Sequence, residues 1–121
     1  MFKNYFFLFL LLFSTAFAIG QQKPVIGKTA YNFLVDSEHY QEGEKNPLII
    51  FLHGRSLSGR DLNRVKRYGV LYAKNRGTAI PASLIIAPQT NNGWDPDKVK
   101  ELLDYVLANY AIDKDRVYVC G

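Results

Sequence analysis

Pro47-Leu48-Ile49-Ile50-Phe51-Leu52-His53-Gly54 carries five consecutive apolar residues after a proline and gives way at a His-Gly pair. A strand with one wet face would alternate polar and apolar residues. A run without alternation belongs to a strand buried on both faces, as in parallel sheets covered by helices. Ser83-Leu84-Ile85-Ile86-Ala87 repeats the pattern and stops at Pro88. Two such runs separated by about thirty residues suggest parallel strands joined by a crossover.

The flanking sequence supplies the other elements. Tyr31, Phe33 and Val35 alternate with Asn32, Leu34 and Asp36, which predicts a strand with one face more buried than the other. Ser37 to Asn46 is polar, contains Gly43 and reads as a loop. Ser58 to Arg76 is predicted to be helical although Gly69 and Gly77 interrupt it, with Leu62, Val65, Leu71 and Tyr72 on one face. Gln89 to Trp94 is a loop by composition. Asp95 is a good N-cap, Pro96 suits the first helical position, and Val99, Leu102, Leu103, Val106, Leu107 and Tyr110 follow helical spacing. Asp113-Lys114-Asp115 then turns the chain into a strand over Arg116 to Cys120. Strand, helix, strand, helix, strand is the pattern of an α/β fold built on a mostly parallel sheet with flanking helices.

The first residues read as an export signal. Lys3 is followed by the apolar run Phe6 to Phe13, and Ala16 and Ala18 frame a cleavage point before Ile19, with a second possible after Gly20. That run is well short of the ~20 residues a bilayer span needs. The expectation is a signal peptide over residues 1–18, a single domain over 19–121, secretion or release to the periplasm, and no stable membrane span after cleavage. No cysteine stands near the cleavage point to carry a lipid.

Fifteen basic and 11 acidic residues give the whole chain a net charge of +4, of which Lys3 leaves with the signal. This mild balance is not a nucleic-acid footprint, and export disfavours that partner further. The lone Cys120 has no partner for an internal disulfide and is expected to be a small apolar residue at a buried strand end. No cluster of His, Cys and carboxylates has metal-ligand spacing, so neither metal nor other cofactor is expected.

In open α/β sheets ligands bind beyond the carboxyl ends of the strands. The residues there are His53-Gly54-Arg55-Ser56, Gln89 to Trp94, and whatever follows Gly121. Phe51-Leu52-His53-Gly54-Arg55 with Ser58-Gly59, then Ile85-Ile86-Ala87-Pro88-Gln89, then Ile112 to Gly121, in that order, resemble the amino-terminal half of a serine α/β-hydrolase. Within that superfamily the chain is most similar to secreted esterases of the phospholipase/carboxylesterase and feruloyl-esterase-like kind. The resemblance covers roughly Tyr31 to Gly121.

The resemblance implies hydrolysis of a carboxylic ester, on a small molecule or a polysaccharide, through an acyl-enzyme. It makes Gly121 the first glycine of a G-x-S-x-G elbow, so the nucleophile would lie just after the last residue given, with acid and base later still. No catalytic residue is then present, and the chain alone is expected to be inactive. His53 would hold its loop, and the Arg55 backbone amide would be one donor of an oxyanion hole. Gly54 would allow close approach to substrate or simply make a turn.

Trp94 is either a substrate-facing wall or a plug against the following helix. Gln89 would hydrogen-bond to the oxyanion loop. His39 lies in a polar loop and reads as solvated. Arg60, Arg64 and Arg67 are expected on one helix face, either solvated or attracting an anionic substrate, a polysaccharide or a membrane surface. A non-catalytic exported binding domain, an inactive remnant, and a peptidase of the same fold remain open as alternatives.

Overall fold

The computed structural model describes residues 22–121, so the export signal read in residues 1–18 lies outside the described residues. The two apolar runs form β3 (Asn46–Phe51) and β4 (Leu84–Pro88). They lie beside β1 (Gln22–Val25), β2 (Phe33–Asp36) and β5 (Ile112–Cys120) in one sheet of order β1-β2-β4-β3-β5. β4 is central and every one of its residues is buried, as its unbroken apolar sequence requires. β3 runs parallel to β4 and β5, whereas β2 is antiparallel to β4 and β1 to β2.

Successive side chains on a strand point to opposite faces, and the core divides accordingly. Phe33, Val35, Leu48, Ile50, Leu84 and Ile86 meet Leu102 and Val106 of a helix, α2 (Pro96–Asn109), on one face. Asp95 caps that helix as expected, its carboxylate accepting from the Asp97 amide. Leu34, Phe51, Ile85 and Ala87 meet Leu57, Val65 and Leu71 on the other face. β2 therefore has both faces buried, against the one-sided expectation, because its neighbour β4 is covered by chain above and below.

The stretch from Ser58 to Arg76 is not one helix. It divides into a 3-10 segment, Leu62–Lys66, and a short α1 (Gly69–Asn75). Gly69 has φ +82, and a Cβ there would lie 2.2 Å from the Phe51 ring. The break turns the chain so that Val65 and Leu71 both reach the sheet, while Tyr72 faces outward beneath the Arg76 guanidinium. Arg60, Arg64 and Arg67 consequently share no helix face. Arg64 folds back to donate to the Ser58 carbonyl, and Arg60 and Arg67 are exposed.

β5 begins earlier than expected, at Ile112, but its ladder to β3 is irregular between Asn46↔Ile112 and Leu48↔Val117. The anticipated turn at Asp113 to Asp115 falls inside that irregularity. There Asp113 accepts from the Asp115 amide and from Arg116, which hold its carboxyl below the usual range. β5 is the edge of the described sheet, with Tyr118 and Val119 more than half exposed. Cys120 is exposed as well, contrary to the expected buried position, since β5 is the edge of the described sheet. Loss of water still pushes its thiol up, away from ready ionisation.

Candidate functional site

The loops that leave the carboxyl ends of β3 and β4 are tied together by hydrogen bonds, three of which involve Thr90 and Gln89. The Thr90 amide donates to His53 Nε2 at 3.0 Å. The Gly59 amide donates to the Thr90 carbonyl at 3.1 Å, and Gln89 Nε2 donates to the Leu57 carbonyl at 2.9 Å. Each of these partners is 31 or more residues away in sequence.

His53 is 3% exposed and both of its ring nitrogens are engaged. A backbone amide can only donate, so Nε2 accepts from Thr90 and Nδ1 carries the hydrogen, which it gives to the Gly54 carbonyl at 2.6 Å. The imidazole has no lone pair left for a proton from a nucleophile. In this arrangement His53 braces its loop through both ring nitrogens.

Trp94 lies against that brace. Its indole ring is 4.8 Å from the imidazole and 5.0 Å from the Tyr31 ring, and its Nε1 donates to the His53 carbonyl at 3.0 Å. Tyr31 fixes the far side by accepting from the Asp95 amide through its hydroxyl at 2.7 Å. The indole thus bridges the β3 loop and the start of α2, and it also forms a wall of an open cavity.

That cavity has a volume of about 490 Å³ and lies at the carboxyl ends of β3 and β4. His53, Gly54, Arg55 and Ser58 line one side, and Thr90 to Trp94 the other. Gly54 has an ordinary φ of −82, and a Cβ there would meet nothing within 4 Å. No turn geometry demands this glycine, so what it leaves is room. Arg55 opens a 3-10 turn, Arg55–Leu57, whose first amides have no acceptor inside the turn. Gln89 lies under this cavity and not in its lining. It meets a second hollow beside it.

Gly121 lies close to the same loop. A Cβ on it would come 2.7 Å from the Leu52 carbonyl oxygen, so only glycine fits there. The β3 loop and the end of β5 are also joined by the Leu52 amide, which donates to the Cys120 carbonyl at 2.8 Å. The sequence-predicted residues His53, Gly54, Arg55 and Trp94 therefore meet at one place. Thr90, which sequence reasoning did not single out, is the hub of the clamp; its only sequence signal was membership of the Gln89 to Trp94 loop. His39 is remote, beside Glu38 in the polar loop after β2. Among the described residues no group of three or more His, Cys, Asp and Glu side chains could hold a metal ion.

No family model matches the chain, and no curated protein matches it in sequence. Among solved structures the chain is similar to one described as a thermostable esterase, with a TM-score of 0.64 and 21% sequence identity. The match covers 82% of this chain and 33% of the esterase. This chain thus spans about a third of that protein's length. At such identity the likeness establishes the fold: a mixed α/β sheet of the kind on which that esterase is built.

Proposed function

We propose that this chain is the amino-terminal part of an exported serine hydrolase that cleaves carboxylic esters through an acyl-enzyme. The observation that carries the reading is the cavity at the carboxyl ends of β3 and β4, walled by Trp94 and opened by the unsubstituted Gly54. The similarity in fold to an esterase supports it. Arg55 contributes its backbone amide to the oxyanion hole, and His53 and Gln89 hold the loop that aims it. A single donor of this kind can be worth about 3 kcal/mol of transition-state stabilisation in a complete site. It activates no nucleophile. With both nitrogens of His53 engaged, the catalytic base must come from elsewhere, and serine, acid and base are assigned to sequence following Gly121.

The decisive experiment is a fluorophosphonate probe on the folded product of the gene read beyond the Gly121 codon. Labelling at a serine two residues past Gly121 is the expected result, and a folded, unlabelled product would refute the proposal. The 121-residue chain itself should not hydrolyse a p-nitrophenyl ester. Turnover that survives Arg55→Pro would overturn the assignment of its inactivity. Export is tested by mass spectrometry of the secreted or periplasmic product, with an amino terminus at Ile19 or Gln21 expected.

A further inference from the structure

Beside the Trp94 cavity, across the Asn91–Asn92 turn, lies the second hollow, of about 310 Å³. Arg60 and Lys98 stand at its margin, Asn32, Asn91 and Asn92 line it, and no carboxylate does. The two hollows share Thr90, Asn91 and Asn92, so one ligand lying over the turn reaches both.

The hollow has a definite chemical sign. Arg60 and Lys98 form no ion pair among the described residues, as is true of most basic residues here, but they alone of these stand together at one hollow that no carboxylate lines. Lys98 is moreover the third residue of α2, where the helix dipole is already positive and a cation is disfavoured. Three nearby acids turn to the backbone: Asp61, beside Arg60, accepts from the Asn63 amide, and Asp95 and Glu101 do likewise. Asp95, which lines the next hollow with Lys98, accepts from the Asp97 amide at 2.9 Å, and Glu101 accepts from the Ala30 amide at 2.8 Å.

The neutral groups add donors. Asn32 uses only its carbonyl oxygen, for the Gly27 amide, and its Nδ2 has no acceptor among the described residues. Asn91 and Asn92 side chains likewise form no hydrogen bond among the described residues, whereas the buried Gln89 is already committed to Leu57. Two uncompensated cations and several unused amide donors around a pocket at the small end of the ~300–1,000 Å³ range of ligand sites call for a negative guest.

We infer that this hollow binds the anionic group, carboxylate or phosphate, of a polar ligand that lies across the Asn91–Asn92 turn. Arg60 offers a planar fork of donors to the anion, and Lys98 places a point charge beside it. That the ligand is the hydrolase's substrate rests on the ester-hydrolase reading; the binding does not. If both hold, the enzyme prefers esters that carry an acidic group close to the scissile bond.

The test is a titration of the isotopically labelled full chain followed by NMR, with galacturonate, neutral galactose and inorganic phosphate as probes. At least one of the two anions should shift the side-chain amides of Asn91 and Asn92 and the backbone amide of Lys98, and bind more tightly than galactose. The double substitution Arg60→Gln with Lys98→Gln should weaken that binding about tenfold, as should raised salt in direction. Both side chains are exposed, so the fold survives their replacement.

A response to galacturonate alone identifies a sugar carboxylate as the anion, and a response to phosphate alone identifies a phosphate group. Equal binding of galactose, unchanged affinity in the double variant, or no shift with either anion would overturn the inference. Anion binding without serine labelling of the longer gene product would remove the ester reading and leave the subsite. The converse result would remove only the subsite.

Discussion

Three glycines, Gly54, Gly77 and Gly69, differ in what a single methyl group would meet, and replacing each by alanine separates backbone strain from packing. Gly54 has an ordinary backbone and open space around its Cβ position. Gly54→Ala should therefore change stability by no more than about 0.5 kcal/mol, as at other unencumbered surface positions. Gly77, just past the end of α1, has φ +92 with nothing within 4 Å. Its alanine form carries left-handed strain of about 1–2 kcal/mol, offset by roughly 0.4–1 kcal/mol from the stiffer unfolded chain, for a net loss near 1 kcal/mol.

Gly69 combines φ +82 with three Phe51 ring carbons between 2.2 and 2.8 Å from the Cβ position. Real Cβ atoms do not approach so closely, so the ring must move. Overpacking a filled core adds about 1–3 kcal/mol, which brings Gly69→Ala to a loss of roughly 2–4 kcal/mol. For a domain of this size each kcal/mol lowers Tm by about 4–8 °C. Circular dichroism melts and urea titrations of the full chain should rank the variants 54, 77, 69 in order of increasing damage, with equal m-values. Phe51→Leu should restore part of the loss at Gly69 and none at Gly77, the non-additivity expected of groups in contact. If Gly69→Ala melted together with Gly77→Ala, the Phe51 contact would carry no energy, and the account of why the helix breaks there would fail.

Other consequences are as direct. His53→Ala leaves the Thr90 amide without its acceptor and removes a ring that packs on Trp94, so a loss of about 2–4 kcal/mol and a shift in the emission of the sole tryptophan are expected; unchanged fluorescence would count against the brace. Lys74→Met strips one partner from Asp36, a carboxylate 1% exposed that Lys74 approaches to 3.1 Å, and should cost about 3 kcal/mol.

Burial pulls the Lys74 ammonium down, but hydrogen bonds and charge from Glu38 and Asp36 outweigh it and leave it above its ordinary 10.5. Its stabilising contribution is therefore complete below pH 10.5 and fades as pH rises through the raised value. Urea midpoints of the wild type and Lys74→Met should converge in that alkaline window, and a gap that persisted through it would contradict the linkage. On the open β5 edge, Val119→Lys should reduce self-association in sedimentation velocity runs, because a charge on an unpaired strand opposes edge pairing; an unchanged distribution would show that this edge drives no association.

Local pattern located β3, β4 and α2 because each is specified by its own residues: unbroken apolar runs for strands buried twice, and a capped apolar stripe for the helix. Gly69 marked an interruption before α1, but that the helix could not run through it was not legible, since this depends on the Phe51 ring lying 18 residues away in sequence. β2 looked one-sided because alternation reports polarity along a strand and not what the neighbouring elements cover. Cys120 looked buried by composition and is exposed because its strand is an edge. β1 went unread, for Gln22-Lys23-Pro24-Val25 has no strong strand signal and gains its conformation by pairing with β2.

The site divides the same way. His53, Gly54, Arg55 and Trp94 could be named from motif and strand end alone, because α/β topology delivers the carboxyl ends of parallel strands to one edge. Whether His53 could act as a base could not. That depended on the Thr90 amide reaching Nε2 from 37 positions away. Nor could the sequence reveal that Arg60 and Lys98, on either side of β4 in the chain, flank one hollow without a carboxylate between them. Sequence by itself determined which segments must bury their apolar faces, since that follows from nearest-neighbour chemistry along the chain. The state of each polar group was decided only by the fold, because hydrogen bonds and ion pairs are set by distances between segments that the chain order leaves open.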